Sequence, residues 1–216
     1  MILFFSYISF FNFRVMIKCN VSICAVISRA ASVKVGKDNN SFLTFSVKLP
    51  LEGRDGSKKD LEVSVSLDGD KSKASVFSAG RCVKADGVLH IRKKGGKTYF
   101  NLRAGNVELA NSKSESLIEG TMEFRGKTGK KAVEEKSDKK GNPYKVFSAF
   151  SSDKDGENME YTWVRFLYFN PKEGEDFLQP STYVTVKGDL QLSVYKDEVS
   201  LDCRVSEVSR WELEKK

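Results

Sequence analysis

The sequence predicts an all-β protein made of two copies of one small barrel domain. The first observation behind this prediction is a repeat: Gly87 and Gly188 lie 101 positions apart, and the same offset aligns apolar residues throughout both halves. The aligned pairs are Val63/Val164, Val65/Phe166, Leu67/Tyr168, Val83/Val184, Leu89/Leu190, Ile91/Leu192, Val107/Val208 and, further back, Val21/Met122 and Ile23/Phe124. A repeat this long indicates a duplicated domain, because solenoid units are about 20–50 residues long.

The second observation is a period-two alternation of apolar and polar residues. Leu61, Val63, Val65 and Leu67 alternate with acidic residues and serines, which is typical of a strand with one buried face. The third observation is a pair of strand-like segments, 83–91 and 98–103, joined by a turn that contains Gly95-Gly96. Glycine supplies the positive φ that a tight hairpin needs.

The second copy repeats this pattern. Segment 183–192, a turn near Lys196-Asp197 and segment 199–205 follow one another as in the first copy. Segments 71–79 and 173–179, between the third and fourth strands, are each long enough for a short helix. Five strands with a short helix between strands three and four predict an OB-fold, a Greek-key barrel, in each copy.

The register of the second strand in the second copy has two solutions. The offset of 101 pairs Phe45 with Val146, but Phe147 and Ala149 would fill the core equally well.

The repeat predicts three segments: an N-terminal extension at 1–15, a first OB-fold at 16–116 and a second at 117–216. Domains of about 100 residues are of ordinary size. The extension, MILFFSYISFFNFRV, has an apolar run of about a dozen residues, shorter than the roughly 20 needed to span a bilayer. We interpret it as an upstream start or an accessory segment, with a membrane anchor as the alternative.

The charge of the chain predicts a polyanionic partner. The net charge is +7, and residues 16–116 carry 18 Lys/Arg against 10 Asp/Glu, whereas residues 117–216 carry 17 against 19. The first copy should therefore supply the long-range attraction.

No pattern in the sequence indicates an enzyme, a cofactor, a metal or a small-molecule substrate. The four cysteines and the single His90 lack the close spacing of a zinc site. Cys82 and Cys203 lie in apolar strand-like segments, which predicts buried free thiols and a reducing compartment. Segment 120–128 resembles a P-loop but separates its glycines by five residues, where that motif has four.

The second copy resembles the bacterial and phage single-stranded DNA-binding protein (SSB) family. The matching segments are YTWVRFLYFN at 161–170, Phe177-Leu178, YVTVKGDLQL at 183–192 and VSEVSRWEL at 205–213. The resemblance implies DNA-facing roles for Trp163, Arg165 and Phe169 on strand three, and for Tyr195 in the hairpin after strand four. Alternation independently places Trp163, Arg165 and Phe169 on the outer face.

The first copy departs from the family at these positions, where it has Glu62, Ser64 and Asp68. It contributes cations instead, and these are the remaining predicted contacts: Arg81, Lys84, Arg92, Lys93, Lys94, Lys97 and Arg103. We expect a division of labour, in which the second copy stacks bases and the first copy tracks phosphates.

The predicted function is therefore non-sequence-specific binding and protection of single-stranded DNA in replication or recombination. Two alternatives stay open: an OB-fold protein-interaction module, and single-stranded RNA binding. Either a homodimer, which would present four barrels, or a monomer fits the sequence. The expected location is the cytoplasm, on the nucleoid or in a host cell if the protein is viral, with no membrane partner.

Overall fold

The computed structural model describes residues 17–36, 38–53, 55–111, 114–172 and 176–212. Strands dominate these residues, and the predicted all-β fold class is confirmed. The elements are β1 (Ile17–Val35), β2 (Ser41–Glu52), β3 (Lys58–Asp68), α1 (Lys71–Ala74), β4 (Cys82–Lys94), β5 (Lys97–Leu109), β6 (Leu117–Thr128), β7 (Glu134–Ser137), β8 (Pro143–Asp155), β9 (Asn158–Phe169), β10 (Tyr183–Tyr195) and β11 (Glu198–Arg210). The predicted extension at 1–15 lies outside the described residues.

Each half closes five strands into a ring. In the first half β1 pairs antiparallel with β2 and β4, β2 pairs with β3, β4 pairs with β5, and β3 runs parallel to β5. The second half repeats this scheme with the strands β6, β8, β9, β11 and β10, including a parallel pair between β9 and β11. The short strand β7 adds to the outside of β8. The inner face of each ring encloses an apolar core.

Aromatic rings pack against one another within both cores. Phe166 packs against Phe124 and Phe147, with ring centroids 5.0 and 4.9 Å apart. In the first half Phe45 stacks on Phe77, which follows α1, at 5.3 Å. Phe77 and its equivalent Leu178, 101 positions later, are both buried at the end of a barrel.

The helix of the first half is shorter than predicted. Of segment 71–79 only Lys71–Ala74 is helical, and Asp70 caps it by accepting a hydrogen bond from the Ser72 backbone amide at 2.9 Å. In segment 173–179, residues 173–175 lie outside the described residues, and Asp176 and Phe177 form a turn.

Strand pairing settles the register of the second copy. Val21 lies opposite Gly87 and Met122 lies opposite Gly188, which confirms the offset of 101 for the first strand. In the second strand the offset is 102, because Phe45 lies opposite Val65 and Phe147 lies opposite Phe166. Phe147 and Ala149 are therefore buried, and Val146 is not part of the core.

Equivalent glycines, Gly87 and Gly188, produce equivalent β-bulges in the two halves. The β4–β5 register shifts between Asp86 and Gly87, and the β10–β11 register shifts between Lys187 and Gly188. A Cβ atom at Gly188 would lie 2.1 Å from the Arg204 carbonyl oxygen, and one at Gly87 would lie 2.2 Å from that of Arg103. No side chain fits at that distance, so the close approach of the two strands requires glycine.

Equivalent strands join the two halves. β1 and β6 pair antiparallel from Ile17 opposite Phe124 to Cys24 opposite Leu117. Asn20 lies opposite Thr121, its own equivalent at the offset of 101, so an approximate two-fold axis passes through this pair. The two barrels thus share one continuous sheet in the arrangement of a two-fold dimer within a single chain.

Candidate nucleic-acid interface

Trp163 lies on the outer face of the second barrel, as alternation along β9 predicts. Its neighbours Thr162 and Val164 are buried, whereas the Trp163 side chain is 52% exposed. Its ring lies 4.9 Å from that of Phe150, the opposite residue on β8, and Phe150 makes an edge contact with Tyr161 at 5.3 Å. Phe150, Tyr161 and Trp163 form a three-ring cluster on the outer face of β8 and β9.

A cavity of about 760 Å³ lies on one side of Trp163. The loop from β6 to β8 forms its far wall, and its lining includes five cations and one carboxylate: Lys127, Lys130, Lys131, Lys136, Arg165 and Glu134. Glu134 is bound to Lys136 at 2.7 Å. Lysines therefore face Trp163 and Phe150 across a space large enough for a nucleobase.

A second groove, of about 260 Å³, lies on the other side of Trp163 and brings in Tyr195. Tyr195 is 63% exposed at the start of the β10–β11 turn. In that turn Lys196 and Asp197 both have positive φ, near 50° and 60°, matching Gly95-Gly96 in the first copy. The structure therefore brings the predicted residues Trp163 and Tyr195 to one surface.

Arg165 faces outward as predicted, but its guanidinium is already bound. It donates two hydrogen bonds to the Asp202 carboxylate, at 2.9 and 2.8 Å. Asp202 is 5% exposed and lies beside Arg165 in the parallel β9–β11 pair. Hydrogen bonding to Asp202 raises the Arg165 pKa. The main role of this arginine in the free protein is to neutralise a buried carboxylate.

Phe169 lies apart from Trp163. It stacks on Tyr144 at 5.2 Å, and the Arg204 guanidinium lies 5.1 Å from its ring. Six residues of β9 separate it from Trp163, which is about 20 Å along a strand. The outer face of β9 thus has an aromatic cluster at each end and the Arg165–Asp202 ion pair between them.

The predicted cations of the first half are spread along β4 and β5, from the β4–β5 hairpin to the opposite end of β4. Arg92 and Arg103 lie on the outer face of β4 and β5, where they flank His90 together with Lys18. Burial lowers the His90 pKa, and the charges of Arg92, Lys18 and Arg103 lower it further, which favours the neutral imidazole.

The other five predicted cations lie at the two ends of β4. Lys93, Lys94 and Lys97 lie at the β4–β5 hairpin, where Lys94 is 3.6 Å from Asp155 of the second half. Arg81 and Lys84 lie near the opposite end of β4, and Arg81 donates to the Val76 carbonyl oxygen at 3.1 Å. The seven predicted cations therefore do not form a single site.

The first barrel has no equivalent of the three-ring cluster among its described residues. Glu62 takes the position of Trp163 and pairs with Arg29 at 3.1 Å, and Ser64 lies opposite Ser46. Among the described residues, the three-ring cluster is therefore a feature of the second half.

Sequence reasoning did not select Phe150 or Tyr161. The register explains the omission of Phe150, since at the offset of 101 it would point into the core, whereas at the observed 102 it points out. The pattern of Phe147 and Ala149 as core residues is the signal that identifies it.

The described residues include no helix long and apolar enough to cross a membrane and no cluster of metal-ligating side chains. Cys82 and Cys203 are buried free thiols, as predicted. Burial raises the Cys203 pKa to about 12.

The fold and this face define a protein of two joined β-barrels with one aromatic and basic outer surface. No family model matches the sequence, and no curated protein matches it. Among solved structures, the chain is similar to the wild-type single-stranded DNA-binding protein of Thermus aquaticus, with a TM-score of 0.48, 13% identity, and coverage of 92% of this chain and 95% of that one.

Two other similar structures correspond to about half of the chain. The small single-stranded DNA-binding protein of Streptomyces coelicolor has a TM-score of 0.34 and 9% identity, and covers 43% of this chain and 93% of its own. The Plasmodium falciparum SSB in complex with ssDNA has a TM-score of 0.32 and 16% identity, with coverage of 43% and 95%. Single-stranded DNA-binding proteins are thus among the structures similar to this chain.

Proposed function

We propose that residues 16–116 and 117–216 are two OB-fold domains and that the chain binds single-stranded DNA without reading its sequence. One observation carries the proposal: Trp163 is half exposed on the face of β8 and β9, between two grooves, with lysines along the wall of the larger one. OB-folds bind oligonucleotides on the face of their second and third strands, next to the loops that follow strands one and four. The three-ring cluster, the β6–β8 loop and Tyr195 occupy these places.

The chemistry of the surface suits unpaired nucleic acid. Every base has a π-face, so stacking on Trp163, Tyr161 or Tyr195 contributes about 1–3 kcal/mol per base without regard to sequence. Lysine contacts to phosphates release counterions and make the affinity fall with salt. A duplex conceals its bases, and it should bind more weakly. We further propose that such binding protects cytoplasmic single strands during replication or recombination.

Tryptophan fluorescence tests the proposal, because the chain has only two tryptophans. Trp211 packs edge-on against Tyr183 at 5.8 Å and lines neither of the two grooves beside Trp163. Trp211→Phe therefore leaves Trp163 as the sole reporter, and Trp163→Phe leaves Trp211 as its matched control. Oligo(dT) should quench the first variant and leave the second nearly unchanged, and Trp163→Ala should weaken binding by about 1–3 kcal/mol.

Two results would point elsewhere. Absence of quenching together with unchanged affinity in Trp163→Ala would refute the stacking role and favour a protein-interaction module. Tighter binding of oligo(U) than of oligo(dT) would favour RNA. A monomer and a homodimer can both present this surface, and light scattering separates them, since a mass near 24.2 kDa with and without oligo(dT) means a monomer.

A further inference from the structure

The two halves touch through their hairpins at two places related by the approximate two-fold axis. In one place the Gly96 backbone amide donates to the Glu160 carboxylate at 3.0 Å. In the other the Lys59 ammonium donates to the Asp197 carbonyl oxygen. Gly96 and Asp197 are equivalent at the offset of 101, and so are Lys59 and Glu160. The same contact is thus made twice, with donor and acceptor exchanged. It holds the β4–β5 hairpin against the β8–β9 hairpin in one place and the β10–β11 hairpin against the β2–β3 hairpin in the other.

A groove of about 340 Å³ lies at the first of these contacts. Both halves line it, with Arg92, Lys93, Lys94, Tyr99 and Asn101 from the first and Asp153, Lys154 and Asp155 from the second. Four of these residues are cations and two are carboxylates, and the Asp155 carboxylate already lies 3.6 Å from Lys94. The groove therefore has an excess of positive charge.

Tyr99 is the aromatic residue of this groove. It lies between buried Phe100 and exposed Thr98, points outward and is 47% exposed. Arg92 is the residue opposite it on β4. A half-exposed ring beside an arginine is the combination on which bases stack and phosphates are held.

The outer face of β8 and β9 connects this groove with the three-ring cluster. Three cross-strand pairs on β8 and β9, each two residues from the next, lead from the groove to the cluster. They are Lys154–Met159, Ser152–Tyr161 and Phe150–Trp163. Phe150, Tyr161 and Trp163 lie next to buried residues in the chain and so face outward, and the pairing register places Ser152, Lys154 and Met159 on the same face. Four residues of strand, about 13 Å, separate Lys154 from Phe150.

We propose that the groove between the halves is a second subsite for the same single strand, with Tyr99 stacking on a base and Arg92 and Lys154 contacting phosphates. This inference rests on the proposed function and adds a direction to it: the strand leaves the second barrel over Tyr161 and Lys154 and reaches the first barrel at Tyr99. Occupying both subsites with one strand makes the second contact intramolecular, so affinity should rise steeply once the strand spans both.

A length series of oligo(dT), from about 4 to about 30 nucleotides, tests the path because one OB-fold covers roughly 4–16 nucleotides. Tyr99→Ala should weaken binding of the long oligonucleotides about 5- to 150-fold and leave that of the shortest binding oligonucleotide within about twofold. The matched control is Leu109→Ala, which truncates a side chain that is 50% exposed at the other end of β5. Leu109→Ala should change neither the affinity for the long oligonucleotides nor that for the shortest one.

A charge variant separates stacking from electrostatics. Arg92→Gln with Lys154→Gln should reduce the salt slope of the long oligonucleotides by about 0.7 per residue and leave the short ones unchanged. Lys34→Gln, at the far end of β1, controls for the loss of one positive charge outside the groove. Equal losses at every length, or none at any length, would overturn the second subsite while Trp163 quenching still stood. Failure of wild-type protein to bind oligo(dT) of any length would instead refute the proposed function.

Discussion

The Arg165–Asp202 ion pair predicts a variant that binds DNA more tightly and folds less stably. Asp202→Asn keeps the size of the side chain and one acceptor oxygen for Arg165, but it removes the negative charge. The guanidinium side chain is 42% exposed and the carboxylate 7% exposed, so the arginine can turn towards the grooves beside Trp163 when it is released. A cation that the free protein uses internally becomes available to phosphate.

The magnitudes follow from this geometry. One added phosphate contact should increase the salt slope for single strands by about 0.7, and a solvent-exposed contact contributes about 0.5–1 kcal/mol, or about 2- to 5-fold in affinity. Breaking a fully buried pair costs about 3–5 kcal/mol. Because Arg165 is partly solvated and Asn retains one hydrogen bond, we expect a loss of about 1–2 kcal/mol in the free energy of unfolding.

The assay combines oligo(dT) titration at several salt concentrations with urea unfolding. Glu207→Gln is the matched control, since it removes one carboxylate from the same strand but from an exposed pair with Lys187, at 3.3 Å. This control should leave stability and slope nearly unchanged. An Asp202→Asn slope equal to that of Glu207→Gln would refute the idea that Arg165 can reach phosphate.

Three further predictions concern the bulge, the histidine and the hairpin. Gly188→Ala places a Cβ 2.1 Å from the Arg204 carbonyl oxygen and should destabilise the protein by about 1–3 kcal/mol in thermal or urea unfolding. The control is Gly105→Ala, whose Cβ would lie 3.9 Å from its nearest contact and which should be nearly neutral. Equal effects of the two substitutions would refute the steric account. The His90 pKa is lowered from 6.5 in the folded protein, so the unfolded chain takes up a proton at His90 first as the pH falls. The free energy of unfolding should therefore fall below about pH 6.5 by more in the wild type than in His90→Gln. Parallel curves of unfolding free energy against pH would contradict this. Replacing Lys93, Lys94 and Lys97 by Ala should flatten the salt slope by about 1.4, the value for two phosphate contacts, because Lys94 is engaged with Asp155. An unaltered slope would mean that the hairpin is only solvated.

Much of the fold could be predicted from the sequence because its signals are local. Alternation with period two places Trp163 and Arg165 outside and Val164 inside whatever the strand pairs with. The repeat at an offset of 101 predicts equivalent strands, and Gly95-Gly96 predicts a hairpin that the structure contains. The alternation and the Gly-Gly turn depend on neighbouring residues, and the repeat is visible by comparing the two halves of the sequence, so none of these patterns requires the tertiary structure.

The partners of those residues depended on tertiary structure. The offset of 102 in β8, which brings Phe150 out beside Trp163, results from one additional residue whose position only strand pairing shows. Asp202 lies 37 residues from Arg165 and meets it because β9 and β11 run parallel in a closed ring. Tyr99 and Lys154 share a groove because β1 and β6 join the two barrels. Alternation determines which face of a strand a side chain occupies, but only the closing of the sheet determines what lies across from it.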